Sequence, residues 1–140
     1  MLFRRLLFRR SLDWLRDRKR NRKWNPSLAA GRRGEDLAHR YLQRQGYIVV
    51  ARNYRLGSGE GEADIVAWEG ETLAIVEVKS RTTGDYGPPE RAIGPEKLAH
   101  MRRVAREFAA RNGTSWEQVR FDIVAVLLTA PPQISLYRGV

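Results

Sequence analysis

Residues 62–68 and 73–79 are two runs rich in β-branched and apolar side chains, and they flank the dipeptide Gly70-Glu71. A Gly-X pair between such runs is a two-residue hairpin signal, so the pattern predicts an antiparallel pair of strands. With Gly70-Glu71 as the loop, Glu69 faces Thr72, and counting outward sets Asp64 opposite Glu77 and Glu62 opposite Lys79. The strand period of two then holds these four side chains on one face of the sheet.

The remaining pattern surrounds this hairpin. Asn25-Pro26-Ser27 opens a helix, because a cap-type residue followed by proline starts helices and seldom sits inside them. That helix runs to about Gln45 and stops at Gly46, with Leu37, Ala38, Tyr41 and Leu42 as its apolar stripe. Residues 46–54 read as a strand through Tyr47-Ile48-Val49-Val50. Gly94-Pro95 opens a second helix that closes near Gly113, with Leu98, Met101, Ala105, Phe108 and Ala109 facing the core. Residues 119–128 form a near-continuous apolar strand, broken by Arg120 and Asp122 and expected to be covered on both faces, and residues 133–138 a short last one. The order predicts an α/β fold, a central mixed sheet with an antiparallel meander flanked by helices.

Ionisable groups inside apolar strands need a reason. Two carboxylates set face to face, Asp64 and Glu77, repel one another unless something cationic lies between them. A divalent metal supplies that charge. Oxygen ligands, no cysteine and no paired histidines favour Mg²⁺ or Mn²⁺ over zinc. Lys79 on the same face is then placed to orient or deprotonate a water. The competing reading is a structural salt-bridge cluster of Asp64, Glu77 and Lys79 at the sheet rim. Glu35, at the edge of the first helix's stripe, either faces a cleft or complements the helix N-terminus, and spacing does not choose between them. Asp122 supports the site from an adjacent strand or, the reading favoured, is a structural pairing or hydrogen-bonding residue, and the single histidines His39 and His100 read as structural or surface groups.

Charge changes the picture once it is located. The formal net charge of the 140 residues is +10. Ten of the 26 Lys and Arg lie within the first 25 residues, which hold only Asp13 and Asp17 in return. The basicity is mostly a tail property, which divides the chain into a basic segment, residues 1–25, and a domain, residues 26–140. In the tail the arginines do not separate from Leu6, Leu7, Phe8 and Trp14 into clean helical faces. It reads as an arm for nucleic-acid phosphates, a helix on anionic lipid, a misassigned start of the reading frame, or a solvated extension with no partner. Elsewhere Arg81, beside a turn-rich stretch, is a phosphate ligand or an ordinary surface arginine. Arg102 and Arg106 give the second helix a basic outer side that suits phosphates or mere solvation. Lys97 opposes the dipole in that helix's first turn, which points to an external anionic partner.

Cysteine is absent, which excludes disulfides and thiolate metal sites and fits a reducing compartment. No apolar run approaches membrane-spanning length, so a soluble, cytoplasmic protein is expected. No serine or cysteine nucleophile pattern is present. The glycines of residues 57–61 are not followed by a helix and so fail the nucleotide-binding context, reading instead as a flexible loop near the site.

Asp64 followed by Glu77-Val78-Lys79 resembles the Asp…Glu-x-Lys core of restriction-endonuclease-like nucleases. More closely, Gly34-Glu35, the run from Gly61 through Asp64 to Ala67, the run from Val76 to Arg81, and Arg120-Phe121-Asp122 together resemble the YraN-like bacterial family, itself similar to Holliday-junction resolvases. The resemblance covers about residues 31–127. It implies a restriction-endonuclease-like fold in which Asp64, Glu77 and the carbonyl of Val78 bind metal and Lys79 activates water. Glu35 matches the acid that resolvase-type members carry on the first helix, where it completes the metal site. Resolvase-like relatives act as homodimers, because a four-way junction needs two matched cuts. The leading expectation is therefore a Mg²⁺-dependent phosphodiesterase acting on DNA, branched or otherwise structured. A non-catalytic nucleic-acid-binding module of the same fold is the alternative, and membrane-surface attachment through residues 1–25 a third.

Overall fold

The computed structural model describes residues 26–82 and 93–140. The basic tail and most of the turn-rich segment after Arg81 lie outside the described residues, as do the expectations attached to them. The described elements are helix α1 (Pro26–Arg44), strands β1 (Ile48–Arg55), β2 (Glu62–Glu69) and β3 (Thr72–Arg81), helix α2 (Pro95–Asn112), a 3₁₀ turn (Trp116–Gln118), and strands β4 (Val119–Leu127) and β5 (Gln133–Arg138). Each helix and strand falls within two residues of its sequence-based bounds, and the 3₁₀ turn was not anticipated. The five strands form one sheet in chain order. β3 and β4 are parallel and the other neighbours antiparallel, so α2 is the crossover that a parallel pair requires. This is the mixed α/β arrangement anticipated from the hydrophobic pattern, and it is consistent with a restriction-endonuclease-like fold.

The hairpin register is fixed by its turn. Gly70 takes φ 58°, a left-handed conformation that costs glycine little, and Glu69 pairs with Thr72. From there the ladder runs as counted, through Trp68↔Leu73, Ala67↔Ala74 and Val66↔Ile75 to Ile65↔Val76. There it ends. Glu62 is consequently not paired across to Lys79, and its carboxylate lies 3.6 Å from Arg55 on β1.

The helices cover opposite faces of the sheet. Ala38 and Leu42 of α1 pack with Tyr47, Ile65, Ala67, Ala74, Val76, Val124 and Val126. Met101, Val104, Ala105 and Ala109 of α2 pack with Ala63, Val66, Trp68, Leu73 and Ile75 on the other side. Val104 thus joins the stripe that the sequence placed on Leu98 and Phe108, both of which are half-buried. Ala63 and Ile65, two apart on β2, fall on different faces, so the period of two breaks between them. Their partners on β1 switch with them. Arg52, opposite Ile65, reaches Glu35 and Asp36 of α1, whereas Tyr54, opposite Ala63, stacks edge-on against Phe108 of α2. Between these sit Asp64 and Asn53, the latter at φ 48°. The expectation that an unbroken alternation carries Glu62 and Asp64 along one face is corrected here: a left-handed residue in β1, Asn53, lies where both strands reverse, at the position of Asp64.

At the far end of β3 and β4 a polar network closes the core. Asp122 is fully buried and its carboxylate accepts from Arg120 Nε and Nη2 (each 2.8 Å), Tyr47 Oη (3.0 Å) and the Gly139 amide (3.0 Å). Glu69 links Arg120 to Arg138 through charge-assisted hydrogen bonds of 2.8 Å. Every oxygen of Asp122 is satisfied, which is the structural role read from the sequence.

Candidate active site

β3 is buried from Leu73 to Glu77 and then emerges, with Val78, Lys79 and Ser80 half-buried and Arg81 exposed. Glu77 is therefore the last core residue of the central strand, 5% exposed. Because β2 leaves the ladder after Ile65, the Val78 amide has no strand partner there. Its N–H donates instead to Asp64 Oδ2 at 2.8 Å. In extended backbone a residue's N–H and C=O point to the same side, so the Val78 carbonyl faces the same gap as Asp64.

Two ammonium groups meet the acids. Lys79 Nζ lies 3.5 Å from Glu77 Oε1. Lys97 Nζ, from the first turn of α2, lies 3.3 Å from Glu77 Oε2 and 3.9 Å from Asp64 Oδ1. Glu77 Oε2 is buried and accepts no hydrogen bond. Burial and the neighbouring Asp64 push the Glu77 carboxyl up to about 7, against the pull of Lys97 and Lys79. Burial draws the Lys97 ammonium down, but Asp64, Glu77 and Glu62 outweigh it and hold the group above its ordinary value.

Glu35 approaches from α1. Gly34 brings this helix against β3 so closely that a Cβ there would collide with the Ser80 side chain, and that contact sets the height of Glu35 beside the sheet. Its Oε2 accepts from Asn53 Nδ2 at 2.7 Å and from Arg52 Nη2 at 3.5 Å. Burial raises the Glu35 carboxyl, the Asn53 hydrogen bond lowers it, and the charge of Asp64 raises it again.

The structure brings Asp64, Glu77, Val78 and Lys79 together and sets Glu35 beside them, engaged with β1. Among the described residues no group of three or more His, Cys, Asp or Glu side chains is close enough to hold a metal. Lys97, expected to meet an external anion, lies against the acids of its own chain. Arg81 folds back to donate to the Ser80 carbonyl at 3.0 Å, and Arg102 and Arg106 are exposed on α2, with Arg106 lying over the Trp116 ring. The loop at residues 57–61 closes on itself through Leu56 N–H to Gly61 O (2.9 Å), and Arg103 ties it to α2 by donating to Glu60 O (2.8 Å). It is a tethered turn rather than a loose one. No described helix is long and apolar enough to cross a membrane.

A hard divalent cation suits this donor set. Asp64 and Glu77 offer carboxylate oxygens beside the point where β2 and β3 part, extended backbone aims the Val78 carbonyl to the side of Asp64, and the buried Glu77 Oε2 accepts no hydrogen bond. Sequence reasoning missed Asn53, which fixes Glu35 and turns the strand. Its signal was faint: asparagine is among the few non-glycine residues that tolerate positive φ.

The family model described as "Uncharacterised protein family UPF0102" matches residues 34–126, a span from Gly34 to Val126 that contains every residue of this site. The chain belongs to the UPF0102 family. A UPF0102 protein of Solibacter usitatus is 52% identical to it over 88% of this chain and 92% of its own length. Others from Koribacter versatilis (43% identical, 80% of this chain and 78% of its own) and Rhodococcus jostii (44%, 76% and 89%) are similar across the same domain. UPF0102 is thus the YraN-like family that the spaced motifs resembled.

Proposed function

We propose that this UPF0102 protein is a metal-dependent endonuclease that hydrolyses phosphodiester bonds of DNA, branched or otherwise structured. The observation that carries the reading is the meeting of Asp64 and Glu77 at the mouth of the β2–β3 splay, with Glu77 Oε2 buried and without a hydrogen bond. Asp64, Glu77 and the Val78 carbonyl would hold Mg²⁺ or Mn²⁺. Bound there, such an ion supplies positive charge to a phosphate and acidity to a water.

The chain's own groups do the rest. Glu77, whose carboxyl burial and Asp64 push up to about 7 despite the two lysines, would release its proton to solvent on taking up this role. The Val78 amide holds Asp64 in place. Lys79 Nζ, at the solvent edge of Glu77, orients the attacking water towards phosphorus. Glu35 acts on the pair through its charge, from a position fixed by Asn53 and Arg52. Arg81, Arg102 and Arg106 are exposed cations for flanking backbone phosphates, which position a duplex without reading its sequence.

One observation favours a second reading, a non-catalytic nucleic-acid-binding protein of the same fold. Lys97 and Lys79 already counter the acid pair, as in a structural ion cluster. The two are separated by incubating the protein with Mg²⁺ or Mn²⁺ and linear, flapped and four-way DNA, with Asp64→Ala as control. Metal-dependent cleavage lost in the variant supports the nuclease. No cleavage of any substrate, with salt-dependent binding indifferent to metal and to Lys79→Ala, leaves the binding module.

A further inference from the structure

Lys97 stands where a shared ligand of the acid pair would stand. Its ammonium lies within 4 Å of an oxygen from each strand, 3.3 Å from Glu77 Oε2 and 3.9 Å from Asp64 Oδ1. Lys79 does not share this place, since its contact is with the other oxygen of Glu77. The Lys97 contact is an ion pair in which Glu77 Oε2 is left without a well-aligned hydrogen bond. Nothing in its own helix favours a cation there: Lys97 is in the first turn, where the dipole disfavours positive charge. The acids hold it there.

The side chain has a route to solvent. It is 27% exposed, and a flexible four-carbon stem lets the ammonium reach water without backbone movement. We propose that Lys97 is an exchangeable internal counter-cation, neutralising Asp64 and Glu77 until a divalent ion takes its place and so setting how tightly that ion is held. The proposal rests on Asp64 and Glu77 being metal ligands. The ammonium stands where an ion bridging Glu77 Oε2 and Asp64 Oδ1 would stand, so such an ion displaces it and forgoes its attraction to the acids. The same exchange keeps a buried carboxylate pair from standing bare when no metal is bound.

Calorimetric titration of the full chain with MnCl₂ tests this, with affinity rather than cleavage as the readout. Lys97→Met is expected to bind Mn²⁺ about tenfold more tightly than wild type, or better, because no ammonium need be displaced. Its melting temperature should also rise further on adding Mn²⁺. Lys97→Arg, which keeps the charge, and Arg44→Met, which removes one from the last turn of α1, should stay close to wild type. Glu77→Gln ties the heat to this site. If Glu77-dependent binding is seen but Lys97→Met binds no more tightly than wild type, the counter-cation role is overturned and the metal site stands. Should neither protein bind Mn²⁺ in a Glu77-dependent way, the metal reading fails and takes this proposal with it. Where Lys97→Met does not fold, as judged by circular dichroism, Lys97→Gln carries the same comparison.

Discussion

The backbone amide of Val78 donates to the carboxylate of Asp64 at 2.8 Å, so an acid on one strand satisfies the main chain of the next just where their ladder ends. Asp64 thereby has a duty to the fold that is separable from the proposed one to a cation. Asp64→Ala leaves a part-buried N–H unpaired and is expected to lower stability by about 1–2 kcal/mol as well as abolish Mn²⁺ binding. Asp64→Asn, whose amide oxygen still accepts from Val78, should recover most of the stability and none of the binding. Urea denaturation and calorimetry on both variants check the split, which fails if the two behave alike.

Metal-free stability should fall as the solution is made more alkaline through the Glu77 titration. The folded carboxyl sits near 7, above its ordinary 4.5, so between those values the folded chain holds a proton that the unfolded chain has released. The favourable contribution is complete below about pH 4.5 and is lost as pH rises through about 7, an effect of up to about 3 kcal/mol. Urea midpoints in chelator at pH 5.5 and 8 should show it, and Glu77→Gln should flatten the difference. A wild-type midpoint that does not fall over that interval contradicts the burial of this group.

Gly34→Ala is expected to destabilise by about 1–3 kcal/mol, since its methyl meets Ser80 and pushes α1 off the sheet. Ser80→Gly in the same chain should restore much of the loss. The pair forms a double-mutant cycle with favourable coupling. Additive losses would mean that helix and strand are not in contact here.

Asp122→Ala removes the acceptor of Arg120, Tyr47 and the Gly139 amide and should cost about 3–5 kcal/mol. Mn²⁺ affinity of the remaining folded protein should be unchanged. A large fall in affinity would place Asp122 in the site after all.

The hairpin was legible because its turn announces itself: Gly70-Glu71 fixes the register, and the register sets Asp64 towards Glu77. Apolar periodicity likewise exposed both helices, whose burial follows the 3.6-residue repeat. Three features lay beyond such reasoning. The face reversal at Asn53 and Asp64 depends on one residue's φ, which alternation rules assume to be extended. Lys97 lies 20 residues after Glu77, and only the path of the crossover brings it back. Glu35 could be assigned to its helix edge but not to Asn53, because the height of α1 on the sheet is set by contact between Gly34 and Ser80 rather than by either element alone.

A continuous sheet insulates the layers on either side of it from each other. Where β2 and β3 part, that insulation is lost: Asp64 feels the carboxylate of Glu35 from one layer and the ammonium of Lys97 from the other. The aperture is framed by main chain, which no point substitution deletes. An acid carried by one helix and a base carried by the other accordingly address the same spot from opposite layers.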